Sequence, residues 1–152
     1  MYVPFVIVKL SLTKKQLMKT LYSGGLVFDG SGNLLENHGV LIDGERISSI
    51  APIGEFEGYS GEKIDTSGGT LLPGLIDCHV HLVYCGEADP KSSLLKSSPG
   101  QIVMNAFENA QKTLSSGVTS IRDLGGRDYL EFAVRDACNS GRQLGPTIMA
   151  AG

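Results

Sequence analysis

The stretch Leu71–Val83, LLPGLIDCHVHLV, decides how this chain is read. It is a nearly continuous apolar run, the pattern of a strand buried on both faces, as in a parallel sheet covered by helices. Near its end His79 and His81 stand at i and i+2, so both imidazoles leave the same face of the strand. That geometry suits one metal ion. Asp77 lies two residues earlier on the same face and is placed to orient the pair or the strand end. A catalytic zinc takes about three protein ligands and keeps a position open for water, so two histidines begin a site without completing it. The spacing alone leaves a second reading open, since two same-face histidines also serve as ordinary packing or surface residues.

Downstream, the pattern changes period. Ser98-Pro99-Gly100-Gln101 offers Ser as N-cap, Pro at the first helical position and Gln three residues after the cap, a capping box. Val103, Phe107, Ala110 and Leu114 then recur at helical spacing until Gly117 supplies a stop. Val118–Leu124 reads as a strand rich in β-branched residues. Asp128 and Glu131 repeat the capping-box pattern before an apolar stripe of Leu130, Ala133, Val134 and Ala137, and Gly141 ends that helix. Residues 146–150 form a last short strand. The order β, α, β, α, β implies parallel connections, and therefore the start of an α/β sheet or of a (β/α)8 barrel.

Upstream, residues 21–72 alternate short β-like runs with turn signals. Asp43-Gly44, between GVLI and RISSI, marks a hairpin. These strands carry few apolar residues, so the expected sheet packs on something else. Gly68-Gly69 and Pro73-Gly74 read as devices that turn the chain from this region into the His-bearing strand. The loop Val83–Ser98 is long for a strand-to-helix connection and is a candidate to cover substrate, or else a surface loop. Cys85 within it, four residues after His81, reads as an incidental thiol or else a late metal ligand, Cys78 as a core residue facing the helices, and His38 as a surface residue. Arg122 and Asp123 close the second strand, where barrel enzymes place functional side chains; a local salt bridge or a turn cap explains them equally well.

Composition bounds the rest. Thirteen Lys and Arg against 16 Asp and Glu give a net charge of −3, with no basic run longer than Lys14-Lys15, which argues against nucleic acid as a partner. Three cysteines at these spacings match neither a zinc CxxC pair nor a secreted disulfide framework and favour a reducing compartment, the cytoplasm. The apolar run Val3–Val8 lacks a preceding basic segment and is far too short for a bilayer, so no membrane role is expected. A patterned strand begins just after Met18, and residues 1–18 read as an N-terminal extension or an upstream start.

The string PGLIDCHVHL (73–82), with the Gly-rich β region before it and GVTSIRDLGG (117–126) after it, resembles the opening of the amidohydrolase superfamily of metal-dependent hydrolases. AFENAQKTL (106–114), GVTSIRDLGGRDYLEFAVRDA (117–137) and GPTIMAAG (145–152) resemble its imidazolonepropionase-like and Xaa-dipeptidase-like branch, and the resemblance runs from Thr20 to Gly152. It implies a (β/α)8 barrel whose first three strands lie in residues 71–152, preceded by a small β-sandwich-like region at 19–70. It implies one or two divalent metal ions, zinc by default, with His79 and His81 as ligands. Asp77, Arg122 and Asp123 are then the neighbouring candidates. A metal-bound hydroxide would attack an amide or peptide-like carbon–nitrogen bond of a small-molecule or peptide-like substrate. The family's remaining ligands and its proton shuttle come from later barrel strands, so the catalytic residues are expected beyond Gly152. The chain is thus expected to be the N-terminal part of such an enzyme. The alternative is a non-catalytic remnant or interaction module completed by a partner chain, a second copy included.

Overall fold

The computed structural model describes residues 5–6 and 19–152, and the chain divides into two units, residues 1–73 and 74–152. Of the segment read as an N-terminal extension, Phe5–Val6 is described as β1; the remainder lies outside the described residues.

In the first unit the run LYSGGLVF is not one strand. It forms β2 (Thr20–Ser23) and β3 (Leu26–Phe28), which belong to different sheets. Gly24 makes the crossing with φ +104°, a conformation open to glycine, and a side chain on Gly25 would collide with the Thr66 carbonyl oxygen. Buried Thr66 ties the crossing down: its hydroxyl donates to the Ser23 carbonyl at 3.0 Å and accepts from Gly25 N–H at 3.0 Å. The next strands are β4 (Leu34–Leu35), β5 (His38–Asp43) and β6 (Arg46–Pro52), followed by a 3-10 turn, then β7 (Glu62–Asp65) and β8 (Thr70–Leu71). The sheets run β1-β8-β3-β4 and β6-β5-β2-β7.

The hairpin expected at Asp43-Gly44 is present. Asp43 pairs with Arg46 across Gly44-Glu45, and Gly44 takes φ +62°. The loop after β3 is an Asx turn in which the Asp29 carboxylate accepts from the Asn33 side chain and from Ser31, and these bonds hold its carboxyl well below the usual carboxylate range. The expectation that these strands cannot close a core is corrected. Tyr22 and Val40 from one sheet meet Val27 from the other, and Ile42, Ile64, Leu35 and Leu71 complete a small core between them.

The second unit is a parallel sheet with helices. Its elements are β9 (Leu75–Val80), α1 (Pro90–Lys96), α2 (Pro99–Ser115), β10 (Val118–Asp123), α3 (Glu131–Asn139) and β11 (Thr147–Ala150), with strand order β11-β10-β9. Leu71, read as the start of the His-bearing strand, belongs instead to β8, because Pro73-Gly74 breaks the run. Nor is that strand buried on both faces. β9 is an edge strand, and Leu75 and Ile76 are 49% and 70% exposed. Cys78 is exposed for the same reason rather than packed under the helices.

The Ser98 cap forms as the sequence implies, with its Oγ accepting Gln101 N–H at 3.3 Å. The buried stripe of α2 is Ile102, Ala106, Ala110 and Leu114, one residue earlier than Val103 and Phe107, which are partly buried. Alanines at 106 and 110 let the helix come close to the sheet, where Ile121, Ile148, Val134, Leu82 and Val83 share the core. Asn139 fastens α3 to β11 by a reciprocal pair, its amide donating to the Ile148 carbonyl and accepting Ile148 N–H, both at 2.8 Å. Two expectations fail here. The Val83–Ser98 loop contains α1, started by the Asp89 carboxylate accepting Ser92 N–H with Pro90 at the first position. Asp128 caps nothing: Asp128 and Tyr129 both sit at φ +56°, Arg127 takes the Asp128 carboxylate, and α3 begins at Glu131 without a side-chain cap. No helix among the described residues is long and apolar enough to cross a membrane.

Glu131 turns inward instead of capping. It is fully buried, and neither carboxylate oxygen has a hydrogen-bond partner among the described residues. Its place in the first turn of α3 offers at most about 0.3–1 kcal/mol from the helix dipole, less than the about 1–3 kcal/mol of leaving a buried polar group unsatisfied. Glu131→Met, of similar length and without charge, should therefore raise the unfolding free energy by about 1–3 kcal/mol in urea denaturation. A lowered midpoint would show that the carboxylate is stabilised where it lies.

Candidate metal centre

His79 and His81 sit at the C-terminal end of β9, His79 on its last full turn of pleat and His81 just past it. Their ring centroids are 5.6 Å apart at an interplanar angle of 73°. An ion about 2.0–2.1 Å from one nitrogen of each ring, at a tetrahedral angle, would bring two imidazole centroids to about 5 Å, so the pair fits a shared ion after a small closure. Among the described residues no set of three His, Cys, Asp or Glu side chains converges to hold a metal ion.

The second nitrogen of His81 is engaged. Its Nδ1 lies 2.8 Å from the Gly125 carbonyl oxygen, and the ring also rests against Tyr84 with centroids 5.4 Å apart. A carbonyl accepts only, so this contact needs the proton on Nδ1 and leaves the Nε2 lone pair for a ligand role. Asp77, on the exposed strand, accepts His79 N–H at 2.9 Å and so braces the strand just before His79.

Of the two residues that end the second strand, Arg122 is exposed and Asp123 is fully buried. They form no salt bridge with each other; the turn-cap alternative is the one found, with Asp123 Oδ1 accepting Gly125 N–H at 2.8 Å. Its Oδ2 accepts Leu82 N–H at 3.0 Å. Cys85 is exposed, with the Asn109 amide 3.8 Å from its sulfur. His38 is half-buried in the first unit, with its Nδ1 2.7 Å from the Glu36 carbonyl.

Two residues that the sequence reading passed over organise this end of the sheet. Asn109 on α2 donates to the carbonyls of Leu82 and Tyr84 at 2.8 and 2.9 Å, holding the turn that follows His81. The available signal was an amide bordering the apolar stripe of a helix. Arg127, in the loop after β10, donates through Nη1 to the carbonyls of Leu94 and Ser97 at 3.1 and 3.2 Å, closing the C-terminal end of α1. Nothing local in the sequence points to that contact.

Comparison with known proteins gives a consistent picture. The model of the amidohydrolase family matches residues 70–152. An imidazolonepropionase of Klebsiella pneumoniae is 47% identical over 150 residues, covering 78% of this chain and 36% of that protein. One from Ectopseudomonas mendocina is 44% identical over 70 residues, covering 45% of this chain and 17% of that protein. Among solved structures, a Xaa-Pro dipeptidase with methionine bound in its active site superposes with a TM-score of 0.77 at 33% identity, covering 88% of this chain and 33% of that one. A prolidase complexed with N-methylphosphonate-L-proline gives 0.72 at 34% identity, covering 88% and 32%. The chain thus spans about a third or less of the length of these relatives.

Arg127 ties the loop after β10 to the C-terminal end of α1. Arg127→Ala should favour local opening of α1 by about 1–3 kcal/mol, read as faster amide hydrogen exchange at residues 93–97 with the α2 amides unchanged. Unchanged exchange in α1 would show that its Asp89 cap and Leu94 packing suffice.

Proposed function

Because the chain belongs to the amidohydrolase family, we propose that it is the N-terminal part of a zinc-dependent hydrolase that cleaves an amide or peptide-like carbon–nitrogen bond in a small-molecule or peptide-like substrate. The observation that carries this reading is the histidine pair at the end of β9, with one ring held at Nδ1 by a backbone carbonyl so that its other nitrogen is left for a ligand. A backbone or carboxylate acceptor behind a ligating imidazole is the usual arrangement at metal sites.

His79 and His81 would hold the ion. When bound, such an ion supplies activated water at neutral pH and polarises the scissile carbonyl. This chain's own residues hold the two imidazoles in place: Asp77 braces the strand leading into His79, Asn109 fixes the turn after His81, and the Gly125 carbonyl keeps the proton on His81 Nδ1. Exposed Arg122, at the end of the neighbouring strand β10, is available to an anionic group of the substrate. The open side of β9, where Leu75 and Ile76 are exposed, is where a further strand of a (β/α)8 barrel would pair. A reducing compartment, the cytoplasm, suits the exposed thiols of Cys78 and Cys85.

Replacing both histidines by alanine should abolish zinc loading of the protein, measured by elemental analysis after metal reconstitution at neutral pH. Unchanged zinc content in the double variant would overturn the ligand assignment and favour the non-catalytic reading.

A further inference from the structure

Asp123 is buried at the end of β10, and its two oxygens accept N–H groups from two different segments, Leu82 at 3.0 Å and Gly125 at 2.8 Å. Leu82 directly follows His81 in the chain. Gly125 is the residue whose carbonyl lies 2.8 Å from His81 Nδ1. The ring is therefore held from behind at one residue and the adjacent backbone at another, and one carboxylate fastens both. Gly125 takes φ +105°, a conformation glycine adopts at no steric cost. Charge-assisted bonds of a buried carboxylate to backbone N–H groups are the strong kind.

We propose that Asp123 is a positioning residue for metal binding: by clamping Leu82 and Gly125 it keeps the Gly125 carbonyl where it locks His81 in the Nδ1–H tautomer, presenting Nε2 to the ion. The proposal rests on the reading of His81 as a ligand, but its first consequence concerns the metal-free protein. A residue that merely closed the strand end would stabilise the fold and leave the imidazole free to exchange tautomers.

The test is long-range 1H–15N correlation NMR of the histidine rings in the metal-free 152-residue chain at about pH 8, above the ordinary imidazole range near about 6.5. It is paired with zinc titration against a chromophoric chelator. The wild-type chain should show His81 as a single Nδ1–H tautomer. Asp123→Asn, which keeps one acceptor oxygen, and Asp123→Ser should show mixed tautomers at His81 while His79 is unchanged, with zinc bound about 10- to 100-fold more weakly. A wild-type His81 carrying its proton on Nε2 overturns the proposal, as does a folded variant that retains the single tautomer. If neither variant folds, the wild-type amides decide: Leu82 and Gly125 should share strong protection from exchange, and a freely exchanging Gly125 amide overturns the clamp. His81→Ala with undiminished zinc affinity would sink the ligand assignment instead, and the tautomer measured without metal tells the two failures apart.

Discussion

A carboxylate withdrawn from water needs donors of its own, and Asp123 finds two, one at the exit of each of two neighbouring strands. The ends of β9 and β10 are thereby joined beyond the last ladder bonds, just where a parallel sheet would otherwise fray into loops. The carbonyl behind His81 and the backbone that follows it both meet at that junction. The turn after His81 is pinned on its other side by Asn109, and the loop after β10 carries both the carbonyl behind His81 and the Arg127 guanidinium that closes α1. Backbone groups do most of this work, so the side chains that matter are those supplying them with partners.

The two buried acids of the second unit form a contrast. Asp123 is short, sits at a strand end and meets two N–H groups. Glu131 is longer, opens α3, and meets none among the described residues. Burial alone therefore says little about an acid's role; the donors within reach decide whether it organises its surroundings or burdens them. In the first unit a buried hydroxyl does comparable work. Thr66 serves both sides of the Gly24-Gly25 crossing, which lets one apolar run feed two facing sheets and close a small core between them.

Local signals translate well. The Ser98 cap, the Asp43-Gly44 hairpin and the glycine stops depend on a few adjacent residues whose preferences are intrinsic to the backbone. The same reasoning would have found α1 from Asp89-Pro90, had the loop not been read as a unit. It failed at Asp128, because an available cap residue was drawn off by the neighbouring Arg127 and the backbone entered the left-handed region instead. Burial of β9 was misjudged because an apolar run records which residues can be covered, not what covers them.

From the sequence by itself come the class of fold, the membership of a family and the pair of histidines, since each rests on short-range periodicity and on a string of adjacent residues. The surroundings of that pair were decided by tertiary structure alone. The bond from His81 to Gly125 spans 44 residues and that from Leu82 to Asp123 spans 41, and both depend on the register of β10 against β9, which is irregular between Ile121 and Asp123. A one-residue slip in such a ladder moves every partner to the other face. No local pattern encodes where that slip occurs, because it is settled by packing across the whole sheet.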